Sequence, residues 1–203
     1  MSVWTIVVAA GSGARFGGPK QFEELAGQRV VDRSAATARV VSEGVVVVVP
    51  AGQEQAMSAD RVVAGGPSRA ASVRAGLAAV PDDATIVLVH DGARPLATVA
   101  LYERVISALR AGADGVVPGV PVTDSIRSIH RGAVDRAELV AVQTPQGFGA
   151  ALLRQAHAGG GEATDDAALV EAIGGQISIV EGEIENIKIT DPHDVAVAER
   201  LLS

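Results

Sequence analysis

Arg15 and Lys20 stand in the segment Ala9-Ala10-Gly11-Ser12-Gly13-Ala14-Arg15-Phe16-Gly17-Gly18-Pro19-Lys20-Gln21-Phe22, directly after the apolar run Val3-Trp4-Thr5-Ile6-Val7-Val8. Glycines at this density let a backbone take positive φ and approach a ligand, so that consecutive N–H groups converge on an anion while the two cations neutralise it. The pattern suits a loop that holds phosphate. Gly17 falls one residue late for Gly-x-Gly-x-x-Gly, and the next strand candidate ends in Val49-Pro50-Ala51-Gly52 with no acid for a ribose hydroxyl, which argues against a nicotinamide cofactor. Lys20 follows Pro19, where a Walker loop needs Gly-Lys-Ser/Thr. A turn that merely reverses the chain would leave both cations without a purpose. Lys20 and Lys188 are also the only lysines among 17 basic residues, which marks both as places where a compact ammonium is wanted and a planar guanidinium is not.

Three further segments carry chemistry. His90-Asp91-Gly92-Ala93-Arg94-Pro95 follows an apolar run, and an Asp at the carboxyl end of a parallel strand can orient a metal-bound phosphate or a substrate hydroxyl, or can simply cap the helix that follows. Gly65-Gly66-Pro67-Ser68-Arg69-Ala70-Ala71-Ser72 sets a diglycine turn before a helix, a junction that can present polar groups to a base edge or merely supply an N-cap. Asn186-Ile187-Lys188-Ile189-Thr190 puts the second lysine between two isoleucines, and the scarcity of lysine favours a ligand contact over a surface charge.

Short β-branched runs alternating with alanine-rich helical stretches position these residues, the signature of βα units and an α/β fold. Strands are predicted over 3–9, 45–49, 61–63, 85–90, 115–120, 176–180 and 186–189. Helices are predicted over 30–41, 68–80, 98–110, 150–158, 165–173 and 192–202. The interleaved polar and apolar residues from Asp124 to Gln143, around Arg131-Gly132, read as a hairpin that must pack on something, most simply a second copy of the chain. All 203 residues are expected to form one domain.

A net charge of −7 argues against nucleic acid or an anionic membrane as partner, so any anionic ligand must be small and locally held. Without cysteine there is no thiolate metal site, and His90, His130, His157 and His193 are too scattered to suggest a metal cluster. No apolar run is long enough for a bilayer and no secretory signal pattern is present, so the expected location is the cytoplasm.

Taken in order, Ala-Ala-Gly-Ser-Gly-x-Arg-Phe-Gly-x-Pro-Lys-Gln-Phe, Gly-Gly-x-x-Arg-x-x-Ser-Val, His-Asp-Gly-Ala-Arg-Pro, Pro-Val-Thr-Asp-Ser-Ile, Thr-Pro-Gln-Gly-Phe, Thr-Asp-Asp-Ala and Asn-Ile-Lys-Ile-Thr resemble the 2-C-methyl-D-erythritol 4-phosphate cytidylyltransferases, from Val3 to Leu202. The resemblance implies a Rossmann-like nucleotidyltransferase fold: a mostly parallel twisted sheet flanked by helices, with a protruding β-hairpin arm at about 121–143 that makes a homodimer. It also implies transfer of CMP from CTP to 2-C-methyl-D-erythritol 4-phosphate, with release of pyrophosphate, in non-mevalonate isoprenoid biosynthesis.

By the same resemblance the first loop, Ala9, Ala10, Gly11, Ser12 and Gly13, wraps the triphosphate, and Arg15 and Lys20 stabilise the transition state. Gly66 and Ser72 read cytosine, with Asp91 and Gly92 also at the nucleotide. Asp91, Arg94, Ser125, Arg136, Thr144 and Lys188 hold the polyol phosphate, Arg136 and Lys188 counting as catalytic. The polyol-phosphate oxygen then attacks the α-phosphorus in line, with no general base and with Mg2+ held mainly by the CTP phosphates. Ser125 replaces a frequent threonine and keeps its hydroxyl, and the chain is trimmed in connections such as the one after Pro50. A ribitol 5-phosphate cytidylyltransferase and a nucleotide-binding regulatory module without turnover are the alternatives.

Overall fold

The computed structural model describes residues 1–57 and 59–203. Its first half runs β1 (Val3–Val8), β2 (Glu24–Leu25), β3 (Gln28–Arg29), α1 (Val30–Val41), β4 (Gly44–Val49), β5 (Arg61–Ala64), α2 (Arg69–Ala79), β6 (Ile86–Asp91) and α3 (Val99–Arg110). The second half runs β7 (Gly115–Pro121), β8 (Ile126–Ser128), β9 (Gly132–Val134), β10 (Val140–Val142), β11 (Gln146–Gly149), α4 (Ala150–Ala158), α5 (Asp166–Ala172), β12 (Ile177–Glu181) and α6 (Pro192–Leu202).

The main sheet has the path β10-β7-β11-β6-β1-β4-β5, with β12 added to β7. Strand β1 pairs in parallel with β4 and β6, β4 with β5, and β12 with β7, while β10 and β11 run antiparallel to their neighbours. The runs are continuously apolar because both faces are covered. Val3, Val7, Val45, Val47 and Leu88 turn to one face, among residues of α1 and α3; Ile6, Val46, Val48, Val87 and Val89 turn to the other, among residues of α2, α4 and α5. Val45 to Val49 are all fully buried, each contributing about 1.5 kcal/mol or more. Helix α2 lies flush on the sheet at Gly76, where a Cβ would come within 2.5 Å of Ile6 Cγ2.

Several helices start where the side chains predict. The hydroxyls of Ser68 and Thr98 accept from the N–H groups of Ala71 and Leu101, and Asp191 with Asp194 forms a capping box before Pro192. No helix among the described residues is long and apolar enough to cross a membrane.

Three expectations are corrected. The hairpin read over 124–143 divides: among the described residues β8 and β9 pair only with each other, whereas β10 rejoins the main sheet on β7. Residues 186–189 form no strand; they are tied to the turn after β6 by the Ile189 N–H donating to the Ala93 carbonyl at 2.8 Å and by Arg94 donating to the Asn186 backbone carbonyl, while the Asn186 side-chain amide donates to the Thr144 carbonyl. Strands β2, β3 and β11 lie outside the predicted set, β2 and β3 being two residues each and β11 half glycine.

Candidate active site

Strand β1 has β4 on one side and β6 on the other, and the chain winds outward from it in both directions. Ligands of open α/β sheets bind beyond the carboxyl ends of the strands at such a switch point. Here a cleft of about 520 Å3 opens at that place, with Ala9 to Arg15, Lys20, Gly66, Ser72, Asp91 and Lys188 in its wall.

The loop after β1 is built around one carbonyl. Gly13 oxygen accepts from the N–H groups of Phe16 at 2.8 Å, Gly17 at 3.0 Å and Gly18 at 3.3 Å, and buried Gln21 donates from Nε2 to Gly11 oxygen at 3.1 Å. Gly13 has φ +67°, and a Cβ there would collide with the Gly18 carbonyl, so no side chain fits. Among the described residues, no N–H from Gly11 to Arg15 donates to another protein group. These donors are free for an anion.

Lys20 shares the cleft with Arg15, Arg69 and Lys188. Its ammonium is pushed below the usual lysine range by burial first, then by Lys188 and Arg15. Such mutual repulsion is relieved when an anion binds between them. Across the cleft, Gly65 is pressed against Ala10 and Ser72, where a Cβ would lie 2.2 Å from Ala10 Cβ and 2.9 Å from Ser72 Oγ. The Ser72 hydroxyl donates to the Ser68 carbonyl at 2.9 Å and accepts from the Gly66 N–H at 3.2 Å, which fixes the diglycine turn over the cleft.

A second cleft of about 230 Å3 adjoins the first, with Arg94, Val142, Gln143, Thr144, Gln146 and Asp165 in its wall. Arg69, Asp91 and Lys188 line both. Asp91 Oδ1 takes Arg69 Nε at 3.3 Å and Oδ2 takes Lys188 Nζ at 2.6 Å. Burial alone would raise the Asp91 carboxyl, but Arg69, then Lys188, outweigh it and hold the group well below the usual carboxylate range. Arg94 reaches the Asn186 carbonyl from Nη1 at 2.7 Å.

Most of the residues named from the sequence therefore converge here. Gly92 does not line either cleft: its N–H donates to Val8 oxygen and its carbonyl accepts from Ser34 Oγ, so it stitches β6 to its neighbours. Ser125 and Arg136 also lie outside both clefts, exposed on the segment around β8 and β9, where Arg136 donates to the Thr123 carbonyl. The sequence reading omitted Arg69. Its guanidinium, held by Asp166 at 2.7 Å as well as by Asp91, is raised above the usual arginine range because these carboxylates outweigh its burial. Asp166 is fully buried and also meets His157 Nε2 at 3.0 Å. The signal was present as the Arg of Gly-Gly-x-x-Arg, but its partners lie 22 and 97 residues away.

The profile of the family described as IspD, 2-C-methyl-D-erythritol 4-phosphate cytidylyltransferase, matches residues 3–203. The 2-C-methyl-D-erythritol 4-phosphate cytidylyltransferase of Nocardia farcinica is 45% identical over 217 residues, covering 99% of this chain and 94% of that protein. The bifunctional enzyme IspD/IspF of Nitratidesulfovibrio vulgaris is 43% identical over 228 residues, covering 98% of this chain; the chain spans 58% of that relative's length. The crystal structure of 2-C-methyl-D-erythritol 4-phosphate cytidylyltransferase from Thermus thermophilus is similar with a TM-score of 0.86 and 38% identity, over 99% of this chain and 98% of that one. A loop with free N–H donors, a cation cluster and two adjoining clefts occur here in a chain that the family profile matches almost end to end, and the chain belongs to the 2-C-methyl-D-erythritol 4-phosphate cytidylyltransferase family.

Proposed function

We propose that this chain transfers CMP from CTP to 2-C-methyl-D-erythritol 4-phosphate, giving 4-diphosphocytidyl-2-C-methyl-D-erythritol and pyrophosphate, in the non-mevalonate formation of isoprenoid precursors. The observation that carries this reading is the cluster of Arg15, Lys20 and Lys188 in the first cleft, with Lys188 on the wall shared with the second. In it the triphosphate lies along the free N–H groups of Gly11 to Arg15, and the cytosine faces Gly66 and the turn that Ser72 fixes. The polyol phosphate lies in the second cleft, between Lys188, Arg94 and Thr144.

The phosphate oxygen attacks the α-phosphorus while charge grows on the equatorial oxygens and on the oxygen leaving with pyrophosphate. Arg15 and Lys20 meet that growing charge, and the loop holds it without reorganisation. Lys188 draws the second polyanion against repulsion and aligns it, so proximity supplies much of the acceleration. A phosphate monoester is already anionic near neutral pH, so no general base is required.

Asp91 is the only carboxylate in the wall of the first cleft among the described residues, and Arg69 and Lys188 already occupy its two oxygens. Mg2+ bound there would take its ligands mainly from the triphosphate, with Asp91 the protein group within reach, and would add charge neutralisation at the phosphates. Ser125 and Arg136 lie away from both clefts of their own chain, which supports a homodimer in which the segment around β8 and β9 completes the partner's polyol site. Both substrates are water-soluble phosphates, in keeping with a cytoplasmic enzyme.

The test is pyrophosphate release with each of CTP, UTP, ATP and GTP against 2-C-methyl-D-erythritol 4-phosphate and ribitol 5-phosphate. The proposal requires turnover only with CTP and the methylerythritol phosphate as the best pair. CTP binding without pyrophosphate release would overturn it.

A further inference from the structure

His90 is fully buried at the end of β6, its ring 5.4 Å from that of Tyr102, and it has no part in the roles above. Both of its nitrogens are nevertheless engaged. Nε2 lies 3.1 Å from the Arg94 carbonyl oxygen, and because a carbonyl can only accept, Nε2 carries the hydrogen. Nδ1 lies 3.1 Å from Thr144 Oγ1. Burial pushes the imidazole down to about 4, so the ring is neutral near pH 7 and Nδ1 is a bare lone pair.

Thr144 must then donate its one hydroxyl hydrogen to Nδ1. The same oxygen accepts the backbone N–H of Asp91 at 3.0 Å. A hydroxyl offers one donor and two lone pairs, so one lone pair is all that Thr144 retains for a ligand. The residue itself lines the second cleft.

We infer that His90 is a positioning residue which makes Thr144 an obligate hydrogen-bond acceptor toward the second cleft, so that the ligand group meeting Thr144 is a hydroxyl of the polyol and not an ionised phosphate oxygen. This rests on the reading of that cleft as the polyol-phosphate site. An anionic oxygen placed against the remaining lone pair would set acceptor against acceptor, whereas Lys188 and Arg94 offer it donors on the same wall. The ring also spans the turn after β6, tied to Arg94 directly and to Asp91 through Thr144.

The test begins with the wild-type enzyme, CTP, and analogues of 2-C-methyl-D-erythritol 4-phosphate in which single hydroxyls are replaced by hydrogen or by fluorine. Turnover of the parent substrate establishes the underlying reading, and its absence overturns both. Thr144→Val identifies the hydroxyl concerned, as the one whose removal no longer matters in the variant. At that position fluorine should cost as much kcat/KM as hydrogen, about 10- to 100-fold, because neither can donate. In His90→Leu the Thr144 hydrogen is released, so the fluorinated analogue should gain over the deoxy one. His90→Asn, which can keep an acceptor where Nδ1 was, should preserve the wild-type pattern.

Nitrogen NMR of the wild-type imidazole supplies a readout that needs no variant, and should show Nδ1 without hydrogen at pH 7. A fluorinated analogue clearly better than its deoxy counterpart in the wild type would overturn the inference, as would a hydrogen on Nδ1 or the lack of any hydroxyl coupled to Thr144. The analogue comparison on wild-type protein decides the matter even if His90→Leu fails to fold.

Discussion

The Lys188 ammonium lies 2.6 Å from the Asp91 carboxylate, on the wall that the two clefts share. Asp91 thus occupies a cation that an incoming phosphate would need, and Arg69, on the other carboxylate oxygen, remains as its counter-ion when Lys188 turns away. We expect Lys188→Ala to raise KM for the polyol phosphate by about 10- to 100-fold while changing CTP affinity only a few-fold. Steady-state kinetics with each substrate varied in turn measures the split. A rise in KM for CTP equal to that for the polyol phosphate would remove Lys188 from the second cleft.

Lys20 sits where burial and two neighbouring cations already disfavour its charge, so it is best compensated when the phosphates carry most charge. Lys20→Ala should lower kcat by about two to four orders of magnitude with CTP binding little changed. Calorimetric titration of CTP beside turnover measurements separates the two effects, and a near-normal kcat would contradict the role.

Arg136→Ala should chiefly raise KM for the polyol phosphate, although the residue is exposed and lies outside both clefts of its own chain. If the segment around β8 and β9 serves a partner, mixing Arg136→Ala and Lys20→Ala chains under subunit exchange, at polyol-phosphate concentrations too low for either alone to turn over, should restore activity, since each mixed dimer holds one intact site. Demonstrated mixed dimers without recovery would show that the segment serves its own chain.

The pH dependence of stability follows from His90 and Asp91. The folded pKa of His90 is about 4 against 6.5 for a free imidazole, so between these values the unfolded chain binds more protons and stability falls as pH falls, by about 3 kcal/mol over the whole window. Asp91 is depressed as well, but there it is the charged form that the fold stabilises, so its contribution is present above the ordinary carboxylate pKa and is lost only on further acidification below it. Denaturant melts from pH 7 to pH 4.5 should therefore lose midpoint progressively, and His90→Asn should flatten that loss. An unchanged slope in the variant would assign the acid sensitivity to other groups.

The sequence showed the parallel core plainly, because residues such as Val45 to Val49 are buried on both faces and need no alternation. It misled at Asn186 to Ile189, where the apolar alternation is real. There the Asn186 amide donates to the Thr144 carbonyl at 2.9 Å and its own carbonyl takes Arg94, so loop contacts stand in place of a strand ladder. Strand β11 was hidden by Gly147 and Gly149, and at Gly147 the lack of a side chain is required by packing: a Cβ there would lie 2.6 Å from Val105. The loop cations could be recognised because glycine density and lysine scarcity are local signals. Arg69 could not, because its meaning comes from Asp91 and Asp166, which only the fold brings to it.

Gly76 and Ser72 are one helical turn apart on the same face of α2, and Gly76 rests directly on Ile6 in β1. The height of the cleft wall at Ser72 is consequently set from beneath, by a contact in the core that never approaches a ligand. A methyl group added at Gly76 would have to push α2 away from the sheet and carry Ser72 and the Gly66 turn with it, widening the slot above them. What the cleft admits can therefore drift by mutation in the interior while every residue that faces solvent there stays the same.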